Sequence, residues 1–197
     1  MAMAVPCALF AKPGSRGAST RKPGSLAHLW DNYNESLGLH RLLDDADDYE
    51  RHLPPREGST PLRMLEIGVQ SGGSARTWKQ WYGSRLTYVG VDVNSQCRRT
   101  QSPSESIWVE IGSQSNATFL EGVCRKYGPF DIVIDDGAHR PETIRASLQT
   151  LFPAAARCMK LPSLYVIEDT ETMMMSRYQP TLGSAREYTD ILAEAFW

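Results

Sequence analysis

The chain has 197 residues, of which 41% are hydrophobic and 22% charged, and its formal net charge is −2. The length suits a single domain with its own core, and no apolar run approaches the roughly 18 residues that a membrane span requires. The balanced charge offers no basic stripe for nucleic acid. We therefore expect a soluble globular protein with neither a membrane nor a nucleic-acid partner.

Residues 1–25 contain several Lys and Arg residues, no acidic residue, and many Ala, Gly, Ser and Pro. This composition predicts a disordered tail, because it cannot bury enough surface to fold. A transit peptide has a similar composition and is the alternative. We accordingly predict a cytoplasmic protein, or an organellar one if this segment is a transit peptide.

The cysteines are far apart in the chain and form no CxxC or other metal-binding spacing. We interpret them as free thiols in a reducing compartment in preference to a disulfide framework. They are Cys7, Cys97, Cys124 and Cys158.

Residues 26–60 are predicted to form a helical cap and a linker. Apolar residues recur at three- and four-residue steps from Leu26 to Leu43, which indicates two short helices. The acidic residues at 44–50 fit a solvated helix face or a loop better than a cation site. Pro and Gly at 54–61 then mark a linker to the main domain.

From residue 61 onward, segments with strand and helix patterns alternate. This order predicts an α/β fold with a doubly wound, mostly parallel, Rossmann-like sheet. The predicted strands are 62–69, 86–93, 107–111, 130–134 and 164–167, and the predicted helices are 74–81, 116–127 and 140–156.

The segment 183–197 is amphipathic and stops on Trp197, with no polar tail. We interpret 61–197 as a C-terminally truncated domain.

The first chemical motif is LEIGVQSGGS at 65–74. Gly68 and the Gly72–Gly73 pair connect a strand to a helix, where glycine lets a ligand approach the backbone. The spacing is not the GxGxxG of dinucleotide sites, and Glu66 would repel a pyrophosphate. Asp92, at the end of the second strand, is placed to hold ribose hydroxyls. The alternative is that the glycines only make a tight turn.

The second motif is FDIVIDDGAH at 130–139, and a similar motif, LYVIED, follows at 164–169. Each buried strand ends in adjacent acids, and ligands of open α/β sheets bind beyond the carboxyl ends of strands. Two carboxylate pairs and His139 therefore predict a metal and base site. The alternative is that the acids cap helices.

Taken together, ExGxxxGGS, VDV, IDDGAH and IED resemble the class I S-adenosylmethionine-dependent methyltransferases. The similarity is greatest to the macrocin and mycinamicin sugar O-methyltransferases, a group related to proteins labelled cephalosporin hydroxylases. The resemblance implies that S-adenosyl-L-methionine binds along the first motif and the next two strand ends. The implied contacts are Glu66, Gly68, Gly72, Ser74, Asp92, Ser113, Gln114 and Asp135.

The resemblance also implies a Mg²⁺ site formed by Asp136, Glu168 and Asp169, with His139 as the general base. The implied reaction is methyl transfer to a hydroxyl of a sugar or glycosylated small molecule. Two features depart from the family pattern: Ser113 stands where an acid is usual, and Pro162 and Ser163 replace paired glycines. The rival hypotheses are a non-catalytic or truncated cofactor-binding protein and a nicotinamide-dependent oxidoreductase, and a homo-oligomer is left open.

Overall fold

The structure is a computed structural model that describes residues 23–34, 46–153 and 157–170. Two short helices precede a segment in which strands and helices alternate. The helices are α1 (Leu26–Asn34), α2 (Ala46–His52), α3 (Gly73–Tyr82), α4 (Ala117–Tyr127) and α5 (Pro141–Leu151). The strands are β1 (Leu62–Ile67), β2 (Leu86–Asp92), β3 (Ile107–Ile111), β4 (Phe130–Asp135) and β5 (Met159–Ile167).

The strands form one sheet in the order β3-β2-β1-β4-β5, and every neighbouring pair is parallel. The chain order therefore reverses between β1 and β4. In open α/β sheets such a reversal opens a crevice at the carboxyl ends of the strands. The predicted fold class is confirmed, and the site is expected at this edge.

Alternate residues of each strand face opposite layers of the molecule. On one face, even-numbered strand residues such as Met64, Tyr88 and Val166 pack against α1, α2 and α3. On the other face, odd-numbered residues such as Leu65 and Val133 pack against α4 and α5. The sheet is thus buried on both sides, which explains the continuous apolar strands in the sequence.

Most predicted bounds agree with the structure to within two residues, and Asn116 caps α4 by accepting a 3.1 Å hydrogen bond from the Phe119 N–H. Two bounds were wrong. Helix α5 ends at Leu151 instead of reaching 156, because Pro153 has no N–H to continue the helix and restricts the residue before it. Strand β5 begins at Met159, five residues early. It contains Pro162, which an outer strand tolerates.

Cys124 of α4 and Cys158 lie side by side, with Cα atoms 5.2 Å apart, a separation that permits a disulfide. The two residues are 34 positions apart in the sequence, so no local spacing motif indicated this proximity. For this pair, the interpretation as free thiols stays a prediction. Cys97 is a buried free thiol, as predicted, and Cys7 lies outside the described residues.

Helices α1 and α2 lie within the predicted helical cap, although 35–45 fall outside the description. Residues 1–22 of the predicted tail and the amphipathic segment at 183–197 also lie outside it. The division into tail, cap and main domain therefore stays a prediction. Among the described helices, none is long and apolar enough to cross a bilayer.

Candidate active site

A cleft of about 300 Å³ lies at the carboxyl ends of the strands, where the strand order reverses. Four segments of the chain meet there: the turn after β1, the residues after β2, the acidic end of β4 and the acidic end of β5. Its walls are Gly68–Ser71, Gly73, Ser74, Asp92, Asn94, Cys97, Asp136, Gly137, His139 and Asp169.

The glycine turn is required by backbone geometry and close packing. Gly68 has φ of 95°, and a Cβ there would collide with the carbonyl oxygen of Asp136. Gly72 has φ of 82°, and a Cβ there would collide with the Thr100 side chain. L side chains rarely adopt such φ values. The tight-turn interpretation is sufficient for Gly72, which does not line the cleft, whereas Gly68 does line it.

Asp92 organises the same turn from the end of β2. Its Oδ2 accepts hydrogen bonds from the N–H groups of Val69 (2.9 Å) and Gln70 (3.1 Å), and its Oδ1 accepts one from Asn94 (2.8 Å). Burial acts to raise the pKa of this carboxyl, but these backbone hydrogen bonds outweigh it and lower the pKa. Asp92 is therefore an ionised group in the cleft wall.

Cys97 also lines the cleft, and its thiol donates a 3.2 Å hydrogen bond to the carbonyl oxygen of Gln70. Burial and the neighbouring Asp92 raise the pKa of this thiol to about 11. A neutral thiol is a poor nucleophile, so Cys97 is a packing residue of the cleft wall.

Glu66 is fully buried beneath the cleft. One carboxylate oxygen accepts a 2.5 Å hydrogen bond from Ser74 Oγ, and the other accepts one of 2.5 Å from the Tyr88 hydroxyl. The structure places Ser74, and not Glu66, in the cleft wall. Glu66 thus fixes the hydroxyl that faces the ligand space.

Three predicted residues converge at the mouth of the cleft. Asp136, His139 and Asp169 each offer a ligand atom, and these atoms lie within 4.8 Å of one another. His139 Nε2 is 3.7 Å from Asp136 Oδ1 and 3.5 Å from Asp169 Oδ2. This spacing is that of groups able to share one cation, and the two carboxylates come from neighbouring strands.

Glu168, the third predicted metal ligand, is adjacent in sequence but not part of this trio. Its Oε1 accepts a hydrogen bond from the Tyr49 hydroxyl of α2. Nothing in the sequence connected Tyr49 to the site, because the contact joins residues 119 positions apart.

Asp135 and Gln114 lie beneath the loop that carries Asp136 and His139. Gln114 Nε2 is 3.0 Å from Asp135 Oδ1, and its Oε1 accepts a 2.8 Å hydrogen bond from the Ala138 N–H. Asp135 is 1% exposed and also accepts a hydrogen bond from Ser147 Oγ. Burial raises the pKa of the Asp135 carboxyl, and the hydrogen bonds from Ser147 and Gln114 do not cancel this rise. These contacts support the loop from below, and the predicted contact of Gln114 and Asp135 with the cofactor stays a prediction.

Ser113, the remaining predicted cofactor residue, is exposed after β3. Its Oγ accepts a 3.2 Å hydrogen bond from the Ser115 N–H, which shapes the turn before α4. Ser113 is not among the residues that line the cleft. Its predicted contact with an adenine group stays a prediction.

Three of the five described non-glycine residues with positive φ line the cleft. Gln70, His139 and Asp169 have φ values of 50°, 53° and 49°, which non-glycine residues adopt uncommonly. Such conformations cost of order 1–3 kcal/mol each. Two of the three, His139 and Asp169, belong to the acidic motifs.

The electrostatic character of the cleft is acidic. Of the described residues that line it, Asp92, Asp136 and Asp169 carry negative charge, and none is Lys or Arg. A pyrophosphate would meet three carboxylates and no cation. This charge distribution favours ligands that are cationic or bring a divalent cation, and disfavours NAD.

Comparison with known proteins identifies O-methyltransferases. The chain is 37% identical over 175 residues to mycinamicin VI 2''-O-methyltransferase of Micromonospora griseorubida. This match covers 85% of this chain and 40% of that protein. The chain is 34% identical over 142 residues to demethylmacrocin O-methyltransferase of Streptomyces fradiae, and this match covers 68% of this chain and 33% of that protein.

A solved structure matches as well: MycE methyltransferase from the mycinamycin biosynthetic pathway, in complex with Mg, SAH and mycinamycin VI. The TM-score is 0.67 at 34% identity, covering 80% of this chain and 40% of that one. This chain is a class I methyltransferase homologue of these proteins. No protein-family model matches it.

The resemblance predicted for this methyltransferase homologue from its motifs is confirmed. The chain spans 40% of the length of the mycinamicin enzyme and 33% of the demethylmacrocin enzyme.

Proposed function

We propose that this chain carries the catalytic site of a Mg²⁺-dependent O-methyltransferase that moves a methyl group from S-adenosyl-L-methionine to a sugar hydroxyl. The observation that carries the proposal is the convergence of Asp136, His139 and Asp169 at the mouth of an acidic cleft. The named relatives support the reaction class, because they are O-methyltransferases and the solved one binds Mg and SAH.

The donor set fits a hard divalent cation. Mg²⁺ prefers oxygen ligands and is usually bound by one or two carboxylates, with waters and substrate oxygens completing the set. Asp136 and Asp169 would hold it, with Glu168 beside them. When bound, the ion supplies a positive charge that orients a substrate hydroxyl and favours its deprotonation.

The cleft also fits the proposed methyl donor. S-adenosylmethionine carries an amino group and a sulfonium, both cationic, and the acidic walls stabilise positive charge. Asp92 is held ionised by three backbone hydrogen bonds at the end of β2, where ribose hydroxyls can be bound. Ser74, fixed from below by Glu66, presents a hydroxyl to the same space.

His139 is the residue proposed to accept the proton from the substrate hydroxyl. Its Nε2 lies 3.7 Å from Asp136 Oδ1 and 3.5 Å from Asp169 Oδ2, directly beside the carboxylates that would hold Mg²⁺. The methyl group then passes from the sulfonium to the oxygen by in-line displacement, which breaks the S–CH₃ bond and forms the O–CH₃ bond. The sulfonium becomes a neutral thioether.

A sugar or glycosylated small molecule is the proposed acceptor. The relatives act on such compounds by their names: a mycinamicin, a demethylmacrocin and rhamnosyl or olivosyl compounds. The proposal for the acceptor rests on these relatives alone.

Calorimetry tests the cofactor part of this proposal. The full chain is titrated with S-adenosylhomocysteine and with NAD, each with and without Mg²⁺. We expect binding of S-adenosylhomocysteine and no binding of NAD, and binding of NAD alone would refute the proposal. Methyl transfer is then measured by mass spectrometry on a panel of glycosides, with Asp136→Asn as the inactive control.

A further inference from the structure

Tyr49 connects the helical cap to the acidic strand ends. It lies in α2, its side chain is 3% exposed, and its hydroxyl donates a hydrogen bond to Glu168 Oε1. Glu168 immediately precedes Asp169 of the cation-sized cluster. A residue of the N-terminal segment thus contacts the cleft's acidic end directly.

Aromatic packing fixes the position of the phenol. The Tyr49 ring meets Trp30 of α1 edge-on at 5.6 Å and Trp78 of α3 at 5.5 Å, and the two tryptophans lie 6.1 Å apart. Both tryptophans are fully buried. Such ring pairs are favourable beyond the area that they bury, so the phenol is held from two sides.

Strand geometry explains why Glu168 meets this phenol. Leu164 and Val166 of β5 face the layer that contains α1, α2 and α3. Glu168 continues the same alternation two residues later and turns its carboxylate to that layer. Its backbone N–H donates a 3.0 Å hydrogen bond to the Asp135 carbonyl, so the sheet pairing continues to this residue.

We propose that Tyr49 is a positioning residue of the divalent-cation site, which acts by orienting the Glu168 carboxylate. The inference rests on the proposed Mg²⁺ site. Carboxylates that bind metals are themselves hydrogen-bonded, and loss of such a partner typically weakens metal binding 10–100-fold. The helical cap is then part of the metal centre, through a single phenolic hydroxyl.

The test measures Mn²⁺ affinity of the full chain by electron paramagnetic resonance, without any substrate. Tyr49→Phe removes only the hydroxyl and is expected to weaken Mn²⁺ binding by about 10–100-fold. The matched control is Tyr82→Phe, which also removes one buried phenol hydrogen bond, of 3.0 Å to the Pro54 carbonyl. Tyr82→Phe is expected to keep wild-type Mn²⁺ affinity.

A double-mutant cycle separates orientation of Glu168 from a general structural effect. If Tyr49 acts through Glu168, Tyr49→Phe has no further effect on Mn²⁺ affinity in a Glu168→Gln background. An equal loss in both backgrounds would overturn the inference, and so would wild-type affinity in Tyr49→Phe. In either case a wild-type chain that binds Mn²⁺ leaves the proposed function intact, whereas a wild type that binds no Mn²⁺ refutes both.

Discussion

Gln114→Ala tests how the loop that carries Asp136 is held in place. The variant removes the amide that hydrogen-bonds Asp135 at 3.0 Å and accepts the Ala138 N–H at 2.8 Å. Gln114 is 6% exposed and Asp135 is 1% exposed, so water cannot simply replace the lost partner.

The size of the effect follows from the bonds lost. Leaving a buried polar group without its hydrogen-bond partner costs about 1–3 kcal/mol, and a hydrogen bond to a backbone N–H contributes about 0.5–1.5 kcal/mol. Because the Ala138 N–H is only partly buried, solvent recovers much of the second contribution. We therefore expect the free energy of unfolding to fall by roughly 2–3 kcal/mol, or about 5–10 °C in melting temperature for a chain of this size.

The assay is urea denaturation with thermal melting of the full chain. Gln149→Ala on the exposed part of α5 is the matched control, because it removes the same side-chain atoms from the surface. Surface substitutions of this kind change stability by at most about 0.5 kcal/mol. If Gln114→Ala has the same melting temperature as the control, the amide does not hold this loop and the supporting role is refuted.

Two further predictions concern the carboxylates and His139. Asp136→Ala should abolish both Mn²⁺ binding and methyl transfer, whereas His139→Ala should lower turnover by about 10²–10⁴-fold and retain the metal, as expected for a general base. If His139→Ala loses metal affinity, the imidazole is a metal ligand instead. If Asp136→Ala transfers methyl groups at the wild-type rate, the mechanism does not require the metal. Asp92 has a lowered pKa in the folded chain, so its contribution to stability is complete above the unfolded pKa of about 4 and is lost as the pH falls through the folded value. The melting-temperature difference between wild type and Asp92→Asn should therefore be largest at neutral pH and shrink in acid; a difference that grows in acid would contradict the assignment.

The strands and the acidic strand ends were predictable because their signals are local. Buried parallel strands are short apolar runs, and the abrupt change to Asp135–Asp136 marks a carboxyl end. Helix α5 shows the limit of periodicity, because the apolar pattern continues past the point at which Pro153 ends the helix.

The supporting contacts were not predictable because they join distant parts of the chain. Tyr49 and Glu168 are 119 residues apart, and Gln114 and Asp135 are 21 apart. Each contact depends on which helix covers which face of the sheet. Sequence motifs identified Asp136, His139 and Asp169, which line the cleft. The motifs could not show that Gln114 lies beneath the cleft and does not line it.

The alternation of side chains along each strand has a consequence for engineering this chain. Glu66, Asp92, Asp136 and Glu168 occupy even positions at or just past the ends of their strands, whereas Asp135 occupies an odd one and faces α5 through Ser147. The two neighbouring aspartates thus have different surroundings, since Asp136 lines the cleft and Asp135 is buried against α5. Substitutions at Asp136 should therefore alter ligand binding, whereas substitutions at Asp135 should alter melting temperature. Deletion of a single residue within β4 would exchange the two roles.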